Sequence, residues 1–327
     1  MAGRKAAKAL ESSLLYPLPF SEGLCTLYNM MRIFIAALFL CGIIFTSAFA
    51  QEFEFAGELG NFQGASSFSI NPTGFIYVSD ALSNEVHKLD LSGNEVKYIG
   101  GYGWDESSFD DPTDVFSSTL NVYVCDKNNH RVQVFDKDLN FLAAIQARGD
   151  QSRDNNNNTN TDSDGNITFG YPTSSAVSTQ GDMYILDSEN KRILKFNISG
   201  EYALQFGNYR SGEYTLNNPV KFAISQDNRI YVLDDSSLVI FDQFGTGLAK
   251  AATEIPFRSI NITFNNLVLT STDRVFTADL NQKEVQLKEA HLTGFDPGSE
   301  IVGGLIFKDK LYVLTQKQIA VFKIKKG

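Results

Sequence analysis

Carboxylate side chains recur at one position of the sequence, directly after short apolar stretches that contain tyrosine. In two copies an arginine follows the carboxylate by five residues, and a histidine precedes the first of these arginines. A carboxylate placed in this way can accept hydrogen bonds from turn backbone, pair with the arginine, or contact a ligand. The sequence leaves the framework role and the ligand role open. The residues concerned are Asp80, Asp126, His130, Arg131, Asp187, Arg192 and Asp234.

Aromatic side chains in polar segments form a second group of candidate contacts. Tyr102 and Trp104 lie in a glycine-rich stretch, and Trp104 is the only tryptophan of the chain. Tyr209 and Tyr214 lie in a second polar stretch. An exposed aromatic side chain can stack on a sugar or anchor a protein partner. The alternative is that these rings pack over neighbouring strands.

A polar insertion, residues 150–168, carries the only pattern typical of a metal loop. Oxygen-bearing side chains alternate before a glycine at Asn160, Asp162, Asp164 and Asn166, as at the start of an EF-hand calcium loop. The pattern departs at its first position, which is asparagine, and at its twelfth, where Tyr171 stands in place of glutamate. A polar loop without metal is the alternative. No cofactor is predicted beyond weak calcium binding here.

An internal repeat must position all these residues. An apolar-aromatic stretch recurs six times between Gln51 and Gly327, each copy flanked by alternating strands and polar turns, with about 46 residues per copy. This predicts an all-β fold, a six-bladed β-propeller of four-stranded antiparallel blades. The last copy lacks a fourth strand, and residues 53–57 look like a fourth strand without the other three. We therefore expect the N-terminal strand to complete the last blade and close the ring.

The repeat resembles the NHL-repeat family of six-bladed propellers. The resemblance is carried by the stretches 123–126 and 128–136, with further copies at 184–196 and 77–86. It implies that the loops after each second and each fourth strand form the ligand face, which makes the carboxylates, arginines and aromatic residues above, with His130, the predicted contacts. Animal members of the family join this propeller to zinc-binding RING and B-box modules, which this chain lacks. Ligase activity is therefore not expected.

Alignment of the first strand of each copy predicts which side chains lie at the mouth of the central channel. These are Ser67, Asp114, Ser174 and Lys221, with Arg258 or Ser259 and Gly303. Other six-bladed propellers, such as calcium-dependent lactonases, work at a metal in this channel, and a hard cation needs several oxygen ligands there. Asp114 is the one acid of the set, and Lys221 would repel a cation. A set of histidines suited to zinc is also missing.

The N-terminal sequence has the features of a targeting segment. Residues 30–50 contain a basic start, an apolar run and the small-residue site Ala48-Phe49-Ala50, which predicts a signal peptide cleaved after Ala50. An uncleaved anchor is the alternative, although the run is short for a membrane span. Residues 1–29 are interpreted as a dispensable or mis-started extension, and residues 51–327 as the propeller. Cys125 is then the single cysteine of the mature chain, so an internal disulfide is excluded.

The net charge of the chain indicates which class of partner it can bind. The chain carries a formal net charge of −10, and its first 50 residues hold four basic and two acidic side chains, which leaves −12 on the remainder. This sign disfavours nucleic acid. The sequence therefore predicts a secreted or periplasmic, non-catalytic scaffold that binds a protein or glycan on its loop face, without a stable membrane span after cleavage. The alternative is a calcium-dependent hydrolase, lactonase or lyase with Asp114 at the channel. A purely structural envelope component shares the same sequence features.

Overall fold

The computed structural model describes residues 43–45, 51–146, 170–283, 285–295, 298 and 300–325. Short alternating stretches form β-strands throughout these residues, and a 3-10 helix spans Tyr209–Tyr214. The strands are β1 Ile43–Phe45, β2 Gln51–Leu59, β3 Ala65–Ile70, β4 Ile76–Asp80, β5 Glu85–Leu89, β6 Glu95–Gly100, β7 Pro112–Ser117, β8 Asn121–Asp126, β9 Arg131–Asp136, β10 Phe141–Gln146, β11 Pro172–Val177, β12 Met183–Asp187, β13 Arg192–Phe196, β14 Tyr202–Phe206, β15 Pro219–Ile224, β16 Ile230–Asp234, β17 Ser237–Phe241, β18 Gly247–Ala252, β19 Ser259–Thr263, β20 Asn266–Thr270, β21 Val275–Asp279, β22 Val285–Thr293, β23 Ile301–Phe307, β24 Lys310–Thr315 and β25 Ile319–Ile324.

The strands are arranged in repeated antiparallel sets of four. Strands β3–β6, β7–β10, β11–β14 and β15–β18 each form a separate four-stranded sheet. The remaining strands form one larger sheet, whose main path runs β19-β20-β21-β22-β2-β25-β24-β23. Within this path, β2 pairs antiparallel with β25 and parallel with β22. The expected pairing of the N-terminal strand with the last copy of the repeat is therefore present.

The first strands of the sets surround a central axis. Strands β3, β7, β11, β15, β19 and β23, which we call the inner strands, each contact the next in this order, and β23 contacts β3. The hydrophobic core is divided in the same way, because each buried cluster lies between one set of four strands and the next. An all-β propeller of four-stranded sheets is the architecture that this arrangement defines.

Neighbouring sheets are also joined by polar bonds that explain the recurring tyrosine. The buried ring of Tyr77 packs between two sheets, and its hydroxyl donates to the Lys137 carbonyl in the turn of the next sheet, at 2.6 Å. Buried Lys88 reaches Asp138 of the same turn at 2.7 Å. Tyr184 repeats the bond one pair of sheets further on, where its hydroxyl donates to the Gln243 carbonyl. In these two copies the tyrosine therefore fixes one sheet against the next.

The N-terminal part of the described chain contributes a further short pairing. β1 pairs parallel with residues 285–287 at the start of β22. β2 begins at Gln51, directly after the predicted cleavage site, so the strand that closes the last set of four lies wholly within residues 51–327. Among the described residues, no helix has the length and apolar character that crossing a membrane needs.

Candidate functional site

The recurring carboxylates end the second strand of four sets and are buried. Each one accepts hydrogen bonds from backbone N–H groups of the loop that precedes the first strand of its own sheet. These bonds run from Gln63 and Gly64 to Asp80, from Asp110 to Asp126, from Gly170 to Asp187, and from Asn217 and Asn218 to Asp234, at 2.6–3.0 Å. Since loop N–H groups would otherwise be unpaired inside the protein, the carboxylates hold these loops in place.

The two predicted arginines are buried as well. Arg131 Nε donates to Asp126 Oδ2 at 2.7 Å, and Arg192 Nε donates to Asp187 Oδ2 at 2.9 Å. The interpretation of the four carboxylates and two arginines as surface contacts is therefore corrected, because their side chains lie beneath the loops and bond to the framework. The residues placed below the surface are Asp80, Asp126, Arg131, Asp187, Arg192 and Asp234.

The Arg131 guanidinium supports the loop that carries Tyr102 and Trp104. Its Nη1 donates to the Trp104 carbonyl at 2.8 Å, and its Nη2 donates to the carbonyls of Asp105 and Ser108, both at 2.9 Å. Such a planar fork of donors fixes several acceptors at once. Tyr102 and Trp104 nevertheless project into solvent, with 74% and 66% of their surface exposed.

Two residues that the sequence analysis did not single out complete this support. Asn129 Nδ2 donates to the Gly103 carbonyl at 2.8 Å, and Gln133 Nε2 donates to the Ser108 carbonyl at 2.7 Å. Both side chains are buried and both also bond to Asp126. Phe109 is fully buried at the end of the loop. The backbone under Trp104 is therefore fixed by a connected polar network and an apolar anchor.

The remaining predicted loop contacts lie at the same end of the sheets. Tyr209 is 60% exposed in the 3-10 helix, which Asn208 caps by accepting from the Arg210 N–H. Tyr214 is only partly exposed, because it packs against the core between two sheets. His130 is half-buried; its Nδ1 lies 3.1 Å from the Gly170 carbonyl oxygen, and its ring stacks on Tyr171. The exposed apolar surface at this end thus includes these aromatic rings, and Leu82 in the loop after β4 is exposed as well.

The structure brings the predicted channel residues together around Asp114. Asp114 Oδ1 accepts from Ser67 Oγ at 2.6 Å and from Lys221 Nζ at 2.9 Å. Its Oδ2 accepts from Ser174 Oγ at 3.0 Å and from the Ser175 N–H at 3.1 Å. Both oxygens of this buried carboxylate are therefore fully engaged by donors of the protein.

Lys221 crosses the channel to reach this group. It lies on β15, and its Nζ donates to Ser67 Oγ of β3 at 2.8 Å, although β15 and β3 are not neighbours among the inner strands. The lysine ammonium therefore occupies the position where a hard cation would need to meet Asp114. This arrangement disfavours the alternative of a calcium-dependent hydrolase or lyase that uses Asp114 as a ligand.

A pocket of about 230 Å³ opens above this group, at the loop end of the inner strands. Five of the inner strands contain a β-bulge, where the pairing register shifts by one residue, and the bulge residue of each strand lines the pocket. A bulge redirects a side chain from its regular position. The sequence analysis placed Lys221 and Arg258 or Ser259 at the channel mouth, but it missed the five bulge residues because regular alternation gives no sign of a bulge. The bulge residues are Ser66, Thr113, Thr173, Val220 and Val302. The lining residues are Ser66, Thr113, Lys127, Thr173, Val220, Lys221, Arg258, Ser259 and Val302.

The described residues show no group of three or more side chains suited to a metal ion. The predicted calcium loop, Asn160, Asp162, Asp164 and Asn166, lies outside the described residues. Cys125 is a free, fully buried thiol. Burial raises the pKa of Cys125 well above its ordinary value, and the nearby Asp114 charge raises it further. A thiol in this state is a poor nucleophile.

Comparison of this chain with known protein families and structures agrees with a propeller fold. The model of the NHL repeat matches residues 109–135. A stretch of 157 residues is 29% identical to the protein brain tumor of Drosophila melanogaster, and the match covers 46% of this chain but only 13% of that protein. Virginiamycin B lyase from Staphylococcus aureus has a similar structure, with a TM-score of 0.57 at 10% identity over 82% of this chain and 99% of the lyase. U3-55K also has a TM-score of 0.57, at 8% identity over 82% of this chain and 98% of its own.

At these identities the solved structures show the fold alone, and they define a β-propeller. The NHL match includes the residues that hold the Trp104 loop, namely Asp126, Asn129, Arg131 and Gln133. The chain therefore carries an NHL repeat at residues 109–135 within a β-propeller fold.

Proposed function

We propose that this chain is an exported, six-bladed propeller that binds a protein partner on its loop face. Four four-stranded sheets support this blade number, together with the eight-strand path, which consists of two further blades joined by the parallel pairing of β2 with β22. A closed propeller leaves few unpaired strand edges and forms a rigid platform for loops. The fold and family are typical of an interaction scaffold.

One observation carries the proposal: Tyr102 and Trp104 are exposed on a backbone that buried side chains hold in place. Large aromatic side chains supply much of the binding energy at protein interfaces. An anchor that is already fixed before binding loses less conformational entropy when the partner docks. The loop of Trp104, supported by Arg131 and Asn129, combines these two properties.

The test is the loss of a defined interaction when the aromatic side chains are removed. The purified protein is used as bait in its native extract, and each candidate partner is then purified and titrated by calorimetry against the wild type and the variant Tyr102→Ala/Trp104→Ala. The matched control is Phe244→Ala, because Phe244 is 68% exposed in a turn at the opposite end of the sheets. We expect the double variant to weaken binding at least about 30-fold, the effect of about 2 kcal/mol for one interface anchor. Equal affinity for the wild type and the double variant would exclude this face.

Export has its own test. We propose cleavage after Ala50, which would leave Gln51 as the first residue and keep β2 whole. The full chain is expressed in its own host, and the N-terminus of the mature protein is determined by mass spectrometry. A terminus at Gln51 in material recovered outside the cytoplasm supports the proposal. A protein that retains residues before Gln51 contradicts it.

A further inference from the structure

The channel-mouth pocket has a composition that differs from the acidic character of the whole chain. Three of its lining residues are cationic, Lys127, Lys221 and Arg258, and four carry hydroxyl groups. Within the described part of the chain, no carboxylate lines it. A site with several cations and hydroxyls facing one small volume favours an anion over the net negative field of the protein.

The carboxylates that pair with these cations lie outside the lining. Asp114 holds Lys221 from below at 2.9 Å, and Asp111 holds Lys127 at 2.6 Å. Glu300 lies 4.0 Å from Arg258, and both of these side chains are 64% exposed. An exposed pair at this distance is weak. The Arg258 guanidinium is therefore free to turn toward an anion in the pocket.

The hydroxyl groups on the bulges restrict the chemistry of the ligand further. Ser66 Oγ donates to the Pro112 carbonyl at 2.6 Å, and Thr113 Oγ1 donates to the Pro172 carbonyl at 3.3 Å. Because the hydrogens of these hydroxyls are used, their remaining lone pairs can only accept. The equivalent hydroxyl of Thr173 makes no hydrogen bond with any described residue. The pocket thus offers acceptors for ligand hydroxyls beside cations for ligand carboxylates.

We propose that this pocket binds a small carboxylate anion that also carries a hydroxyl group. A volume of about 230 Å³ corresponds to roughly eight water molecules at about 30 Å³ each, which suits an acid of about six carbons. The Lys221 ammonium closes the channel beneath the pocket, so the ligand enters from the loop end and stops there. The site is separate from the aromatic side chains of the Trp104 loop.

The test compares two probes that differ by one hydroxyl. Citrate and tricarballylate have the same three carboxylates, and only citrate has a hydroxyl group. Each is titrated into the full protein by calorimetry up to about 10 mM, which detects binding in the millimolar range. Inorganic phosphate is titrated as a third probe. We expect citrate to bind and tricarballylate to bind more weakly.

Variants decide whether the binding occurs in this pocket. Arg258→Gln and Lys127→Gln should each weaken citrate binding about tenfold or more, because each removes one charged hydrogen-bond donor. The matched control is Arg229→Gln, since Arg229 is also exposed and paired with an exposed carboxylate, Asp227, but lies in a turn at the opposite end of the sheets. The control should keep the wild-type affinity.

Three results would overturn the proposal. The first is that citrate shows no binding up to the highest concentration. The second is that the Arg258 and Lys127 variants bind citrate as the wild type does. The third is that phosphate and tricarballylate bind as tightly as citrate, which would mean an adventitious ion only.

Discussion

The substitution Arg131→Ala tests whether one buried side chain fixes the exposed tryptophan. The change removes the bond to Asp126 and the three bonds to the carbonyls of Trp104, Asp105 and Ser108. Asp126 then remains as a buried carboxylate without its cationic partner. Breaking a buried pair from one side costs about 3–5 kcal/mol. The carbonyl bonds are not added to this value, because the effects of neighbouring bonds are not additive.

The expected fall in melting temperature follows from the size of the domain. For a domain of this length about 1 kcal/mol corresponds to about 2 °C, so Arg131→Ala should lower the melting temperature by about 6–10 °C. The conservative change Arg131→Lys keeps the charge but loses the planar fork of donors. It should recover part of the stability without recovering the order of the loop.

Fluorescence reports the order of the loop directly, because Trp104 is the only tryptophan of the chain. In the wild type its backbone is fixed, so the decay of fluorescence anisotropy should follow mainly the tumbling of the whole protein. In Arg131→Ala the released loop should add a larger nanosecond component. The measurement is made below the unfolding transition of both proteins.

Arg192→Ala is the matched control. Arg192 pairs with Asp187 through the same atoms in the next sheet, and both side chains are buried. We expect a similar loss of stability with no change in the anisotropy decay of Trp104. An unchanged decay in folded Arg131→Ala, or an equal change in Arg192→Ala, would refute the assignment of loop support to Arg131.

Three further predictions concern the framework. Phe53→Ala removes a fully buried ring from β2 and should cost about 3–5 kcal/mol in urea unfolding, whereas a loss below about 1 kcal/mol would mean that β2 does not close the last set of strands. Hydrogen bonds from Lys137 and Lys88 hold the pKa of Asp138 at about 2, below its ordinary 3.8, so its contribution to stability is present above pH 4 and is lost as the pH falls toward 2. Asp138→Asn should flatten this dependence in unfolding curves between pH 2 and 5, and an unchanged slope would contradict the assignment. Cys125 should resist iodoacetamide at pH 8 until the protein unfolds, as followed by mass spectrometry of its peptide; rapid labelling of the native protein would contradict its burial.

Most of the architecture could be predicted because its causes are local. Alternation of apolar and polar residues marks each strand, and the missing fourth strand of the last copy indicates the role of residues 53–57. The parallel pairing of β2 with β22 could not be predicted. It joins two outer strands that are far apart in sequence and leaves no periodic pattern in either.

The candidate site was predicted less completely, because the burial of a side chain decides whether it contacts a ligand or supports the framework. Asp126 and Arg131 could face a ligand or the framework, and the deciding partners of Asp126 include a loop N–H 16 residues away. Period-two alignment placed Ser67, Asp114, Ser174 and Lys221 together. Of the other pocket residues, Arg258 or Ser259 was predicted at the channel mouth, whereas the five residues on bulges were missed because a bulge shifts a side chain without changing the local sequence pattern.

Lys221 determines what the central channel can hold. Its ammonium satisfies Asp114 and Ser67, which disfavours a metal there and confines any ligand to the loop end. The pocket then opens on the same face as Trp104, and Asp111 at the end of the Trp104 loop pairs with Lys127 in the pocket wall. Arg258→Gln and Trp104→Ala therefore probe two parts of one face independently. If only Trp104→Ala weakens the protein interaction and only Arg258→Gln weakens citrate binding, the two sites serve different ligands. A protein interaction that Arg258→Gln weakens and Trp104→Ala does not would contradict the proposed role of the Trp104 loop.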